Sequence, residues 1–403
     1  VTSFDSSPTL TAWRALLAVA VVFVMLATTG WTAVRNQHSA APREIALAAW
    51  AKDRIAGHAL PDVSSPAYRL AHFFATLTAG QQVALADKYP LVVGNLNGAP
   101  VGLRYRANRH ALAQAEASEE QRTLDTRLSP DGRHQAALRL ARFRSLLAGD
   151  RQILTFDPSG RGRAAEVFGD LDRADRVSVV VPGVDTNLLT LERTGVKENA
   201  APVGMARSLY AAERSARPGS HTAVIAWADY TAPAGIGMDA ALGGLASEGA
   251  VRLNALLKAL PGTSDVSLFC HSYGSVLCGV AAHELPDRVS DIAVAGSPGM
   301  RADHAGALHT RARVWAMRDR DDWIAEVPNM AVGGLGHGAD PVDPAFGARI
   351  VSASGAVGHS GYFEPGTQSL DNFAAIGVGA YDSVTCASSD AACHREISGE
   401  PET

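Results

Sequence analysis

The run Asp265-Val266-Ser267-Leu268-Phe269-Cys270-His271-Ser272-Tyr273-Gly274-Ser275 constrains the fold more than any other stretch of the chain. Its first half reads as a buried strand, and the small residues that follow read as a tight turn opening a helix. A serine on such a turn stands exposed at the strand end. There a histidine can take its proton while backbone N–H groups receive the developing negative charge. Strand and helix pass closely at such a turn, so small residues are needed two before and two after the serine. Gly274 meets the second requirement, and Cys270 stands at the first. An ordinary strand-to-helix turn with a capping serine carries similar residues, so the rest of the chain has to decide.

From Arg151 onward the pattern is of short apolar runs separated by helical stretches: Ile153 to Phe156, Val177 to Val181, Thr222 to Ala226, Val266 to Phe269, Ile292 to Ala295 and Arg313 to Met317. Near-continuous apolar strands covered by helices on both faces describe a mostly parallel α/β sheet. Before Arg151 the periodicity is helical, as in Glu44 to Trp50 and Gln135 to Phe143, and its apolar faces are expected to brace the α/β part. Glu116 to Glu120 reads as a solvated helix face. The expected organisation is an anchor and stalk over 1–43, a helical segment over 44–150, a catalytic domain over 151–385 and a polar tail over 386–403.

With 403 residues, 47% hydrophobic and 19% charged, the chain can bury a large core. A net charge of -5 lacks the positive excess that binding to phosphate backbones needs, which excludes nucleic acid as the main partner. The lysines are Lys52, Lys88, Lys197 and Lys258, none beside Ser272, so a Ser-Lys pair is not expected.

Ala15 to Val34 are 20 uncharged, mostly apolar residues, and at about 1.5 Å per residue they span roughly 30 Å, a bilayer core. This is expected to be a single uncleaved membrane helix, with Trp13 and Trp31 near the interfaces. The positive-inside count, Arg14 against Arg35, Arg43 and Lys52, points to a cytoplasmic domain. The even cysteine count points the other way, since Cys386 and Cys393 are spaced to close a small loop, as in exported proteins. The expectation adopted is an extracytoplasmic catalytic domain. Cys270 and Cys278 are read either as a pair or as buried thiols.

A Ser nucleophile on a sheet of this kind is followed in the chain by its acid and then its histidine. Past the strand ending at Met317, Asp319, Asp321 and Asp322 share one turn. Asp322 is chosen because Trp323 and Ile324 after it would anchor the loop in the core. His359, 37 residues further on in a Gly-rich loop, is the histidine; it would carry the proton while Asp322 holds its tautomer. His337 is the competing histidine and reads as structural, and His271 reads as a packing or hydrogen-bonding group. For an oxyanion, Tyr273 supplies one backbone donor and the turn at Gly183 the other, through Val184 or Gly183 itself. His337, Asp340, Asp343 and His359 lack metal-ligand spacing, so neither a metal nor another cofactor is expected.

Several segments together resemble an α/β-hydrolase family found mostly in actinobacteria and long catalogued as a domain of unknown function: Pro90 to Gly98, Asp150 to Gly160, Val181 to Val184, His271 to Ser275, Gly336 to Pro341 and Gly358 to Ser360. The resemblance covers roughly residues 70 to 380. It implies the α/β-hydrolase fold with Ser272, Asp322 and His359 as a triad, and an elbow that begins with Gly or Cys. The expected activity is hydrolysis of carboxylic esters, with small-molecule or lipid ester substrates. Rival readings are a noncatalytic binding or secretion-associated membrane protein, and an acyltransferase.

Overall fold

Eight strands build the central sheet of this computed structural model: β1 Gln152–Asp157, β2 Arg163–Gly169, β3 Arg176–Val181, β4 Thr222–Ala228, β5 Asp265–His271, β6 Val289–Ala295, β7 Arg313–Met317 and β8 Arg349–Ile350. Their spatial order is β1-β2-β4-β3-β5-β6-β7-β8. Strand β2 runs antiparallel to β1 and β4, and the pairs from β4 through β8 are parallel. The chain is described for residues 41–193, 195, 197–329, 331–332, 335–391 and 393–394. The apolar run Ala15 to Val34 lies outside them, and among the described residues no helix is long and apolar enough to cross a membrane.

Burial explains the strand sequences. All seven residues of β4 are buried, and successive side chains go to opposite faces. Val177, Val179 and Val181 of β3 join one core with Ala223, Ile225 and Trp227 of β4. Val180, Val224 and Ala226 join the other. Both faces must therefore be apolar, which is why these strands read as unbroken hydrophobic runs.

Helices cover both faces. α1 Val101–Leu124 and α2 Pro130–Leu147 precede the sheet; α3 Pro202–Ala216, α4 Gly244–Ala259, α5 Tyr273–Ala281 and α6 Gln368–Gly377 are interleaved with it. The described residues from Ala46 onward belong to one compact unit, so the helical segment from Ala46 on belongs to the same body as the sheet. The segment is stitched to β1 by asparagines. Asn95 Nδ2 donates to Phe156 O (2.8 Å) while its Oδ1 accepts from Phe156 N (3.0 Å), and Asn108 Nδ2 donates to Ile153 O (2.9 Å).

Three sequence expectations are corrected. The Glu116 to Glu120 patch is not simply solvated: Glu119 is buried and accepts from Arg139 (2.8 Å), tying α1 to α2, while Arg144 reaches Glu116 and Glu120. Of the expected polar tail, residues 386–391 and 393–394 are described and lie against the body: Ala387 N donates to Ile350 O (2.9 Å) and Cys393 is buried in the core. Strand β2 is absent from the sequence reading because Arg163 and Glu166 interrupt its apolar pattern. Burial of Glu166 is made tolerable by a two-point ion pair with Arg151 (2.8 and 2.5 Å).

Candidate active site

Ser272 lies between β5 and α5 with φ 55° and ψ -129°, a conformation that L-residues occupy at a cost of order 1–3 kcal/mol. The surroundings enforce it. Ser272 N donates to Ala295 O of β6 (3.0 Å), and Ser275 bonds Ser272 O through its N (2.9 Å) and its Oγ (2.6 Å). A Cβ on Gly274 would fall 2.2 Å from Val181 O, and one on Gly183 would fall 2.6 Å from Ser272 Cβ. Only glycine fits either position. The sequence requirement for a small residue two before the serine is met by Cys270, which is joined to Cys278 of α5 in a disulfide. The second pair, Cys386 and Cys393, is also bonded.

Three distant segments converge here. His359 Nε2 lies 2.8 Å from Ser272 Oγ, and His359 Nδ1 lies 2.8 and 3.1 Å from the two carboxylate oxygens of Asp322. Asp322 is buried; Tyr362 Oη (2.5 Å) and Ile324 N (2.9 Å) donate to it. Burial alone would raise its pKa, but the hydrogen bonds from His359, Tyr362 and Ile324 outweigh that and hold it below the ordinary carboxylate value. Its rivals have other positions. Asp319 Oδ2 accepts from Gly358 N (2.9 Å), fixing the histidine loop, and Asp321 is exposed beside Arg320.

Ile324 is buried as expected, but Trp323 is not part of the core. It is 44% exposed, with its ring 4.7 Å from that of His359. The residue following the acid thus packs on the histidine.

Three further residues support the site, two of which, Tyr362 and Gly296, sequence reasoning missed. Tyr362 accepts from Asp319 N (3.0 Å) as it donates to Asp322, joining both acids. Gly296 has φ +54°, and a Cβ there would fall 2.8 Å from Asp322 Oδ2. His271 Nε2 lies 2.6 Å from His359 O, and since a carbonyl only accepts, that nitrogen carries the proton. Burial, with His359 beside it, pushes the His271 pKa down to about 4, so the ring is neutral at pH 7. Gly296 carried a signal, the Gly296-Ser297-Pro298-Gly299 turn at a strand end. For Tyr362 no spacing rule exists.

The oxyanion candidates border Ser272. Tyr273 is the first residue of α5, where a helix N–H has no intrahelical acceptor. Gly183 abuts Ser272, and Tyr230 Oη donates to Pro182 O (2.6 Å), holding that loop from behind. Val184 follows, half-buried. The four residues weighed for a metal are distributed among other tasks: Asp340 pairs with Arg318 (2.6 Å), Asp343 caps Ala345 N (2.9 Å), His337 packs on Tyr273, and His359 faces Ser272. Among the described residues, Cys386, Cys393 and His394 do come together, but the disulfide removes both thiolates as ligands.

Residues 157–332 match a family model described as alpha/beta hydrolase. An uncharacterized protein of Mycobacterium tuberculosis (strain ATCC 25618 / H37Rv) is 36% identical over 151 residues, 36% of this chain and 55% of the relative. Another from the same strain is 25% identical over 387 residues, 81% of this chain and 57% of the relative. The chain spans a little over half the length of these curated relatives. Among solved structures it is similar to a predicted CIB-like hydrolase from Thermoplasma acidophilum (16% identity, 57% of this chain, 96% of that one, TM-score 0.35). It is similar also to dienelactone hydrolase from Anabaena variabilis ATCC 29413 (16% identity, 56% and 93%, TM-score 0.34).

Proposed function

We propose that this chain is a serine hydrolase that cleaves carboxylic esters through an acyl-enzyme on Ser272. His359 Nε2 takes the Ser272 proton as Oγ attacks the ester carbonyl carbon. The oxyanion of the tetrahedral intermediate is received by the N–H groups of Tyr273 and Val184, with Gly183 as the neighbouring donor. As the intermediate collapses, the bond to the alcohol oxygen breaks and His359 returns the proton to that oxygen. Water then attacks the acyl-enzyme with His359 again as base, releasing a carboxylic acid and restoring Ser272. Asp322 keeps the proton on Nδ1, so that Nε2 is the basic nitrogen throughout.

The observation that supports this reading is the unbroken hydrogen-bond chain from Ser272 Oγ through His359 to buried Asp322, with the serine held at positive φ. A fluorophosphonate probe tests it. Ser272 is expected to be labelled in the folded protein, with labelling lost in Ser272→Ala and His359→Ala and ester turnover reduced at least about 10³-fold in each. A folded wild type that takes no label and turns over no ester overturns the reading and favours a noncatalytic binding protein.

A further inference from the structure

Large apolar side chains that stand exposed together mark a place where something binds. Among the described residues eleven are exposed, and six of them, Ile236, Met238, Leu242, Trp323, Leu335 and Val357, sit on the segments tied to Ser272 and His359. The ties are explicit. The segment leaving β4 is pinned where Asp185 N donates to Pro233 O (2.8 Å) and Gly235 N donates to Asp185 Oδ1 (2.8 Å). Asp185 is two residues past Gly183, which abuts the nucleophile. At its other end, Tyr273 Oη, from the residue after Ser272, donates to Leu242 O (3.1 Å), and Leu242 bridges Leu335. Beyond His359, Trp323 packs on the imidazole and Val357 stands two residues before it in the chain.

Core formation does not account for these side chains. Ile236 is 75% and Val357 79% exposed. From Pro233 to Leu242, Asp239 is the only charged residue. The two glycines flanking Ile236 have no atom within 4 Å of an added Cβ, so Ile236 stands on an open stretch of backbone.

We propose that this stretch is the acyl-binding face of the hydrolase, with the hydrocarbon chain of a medium- or long-chain ester lying across Ile236, Met238 and Leu242 while its carbonyl sits at Ser272. The inference rests on the serine-hydrolase reading, because it is the acyl group bonded to Ser272 Oγ that has to leave the elbow across a loop tied to both of the elbow's flanks. Trp323 and Val357 lie on the histidine side of Ser272, one packed on His359 and the other two residues before it in the chain.

The test compares p-nitrophenyl acetate with p-nitrophenyl octanoate in the wild type and in Ile236→Ser/Met238→Ser, with fluorophosphonate labelling of Ser272 read in the same samples. A fully buried methylene favours binding about fourfold. The wild type is therefore expected to favour octanoate in kcat/KM by about tenfold or more, and the double variant to lose most of that preference while acetate turnover stays within about twofold. Labelled protein with no preference for octanoate, or a variant that slows both esters equally, overturns the acyl face and leaves the serine hydrolase standing. Absence of both labelling and turnover overturns the serine-hydrolase reading itself, and the acyl face with it.

Discussion

Tyr362 holds Asp322 and Asp319 at once, and its phenol is kept protonated by burial and by the adjacent carboxylate. Because its hydroxyl helps to lower the Asp322 pKa, Tyr362→Phe is expected to let that pKa rise, so Asp322 gains a proton at a less acidic pH. For esters the wild type hydrolyses, kcat/KM should fall about 10- to 100-fold, the worth of about one hydrogen bond to a charged group. The acidic limb of its pH profile should move to higher pH. A uniform loss with an unmoved limb would reduce Tyr362 to packing. At this scale the sequence was legible where side-chain type decides. Ser272, His359 and an acid in the turn of Asp319, Asp321 and Asp322 follow from the elbow and from chain order, whereas the choice of Asp322 over Asp319 depends on which carboxylate is buried beneath Tyr362. His271 reads from the sequence as a packing or hydrogen-bonding group, but its partner, the carbonyl of His359, lies 88 residues away.

The elbow as an element combines β5, the Ser272 turn and α5, cross-linked by Cys270–Cys278. Closing a loop this short removes unfolded-chain entropy worth about 2–3 kcal/mol. Cys270→Ala/Cys278→Ala is expected to unfold at a temperature several degrees lower while Ser272 still takes the fluorophosphonate label, since Gly183 and Gly274 still enforce the turn; a melting curve superimposable on the wild type would refute this. The other strands show why legibility varied. β3 and β4 are buried on both faces and announce themselves as apolar runs. β2 carries Arg163 and Glu166, whose ion pairs to Asp157 and Arg151 exist only once β1 lies beside it. Two-residue β8 is defined less by its own sequence than by pairing with β7.

Across the whole molecule, α3 is fastened to the sheet by Glu213, which is fully buried and bonded to the hydroxyls of Ser178 on β3 and Thr222 on β4. Burial pushes its pKa up to about 7, although both hydroxyls pull it down. Between the unfolded value near 4.5 and about 7, the folded chain keeps a proton that the unfolded chain has released. This group's stabilisation is thus complete below about 4.5 and is lost as pH rises through about 7. Glu213→Gln should flatten that dependence, shrinking the difference in urea-unfolding free energy between pH 5 and pH 8 by about 2 kcal/mol; an unchanged difference would show that another group governs it. Residue composition made the α/β layering legible, but not the return of Cys386 to Cys393 onto β8, because that segment reads as polar until its backbone pairs with Ile350. The amide of Asn95 occupies both backbone groups of Phe156 on the outermost strand. A neighbouring copy that tried to lengthen the sheet from that side would find those bonding positions already taken, so even a crowded population of these chains is steered away from filament growth there.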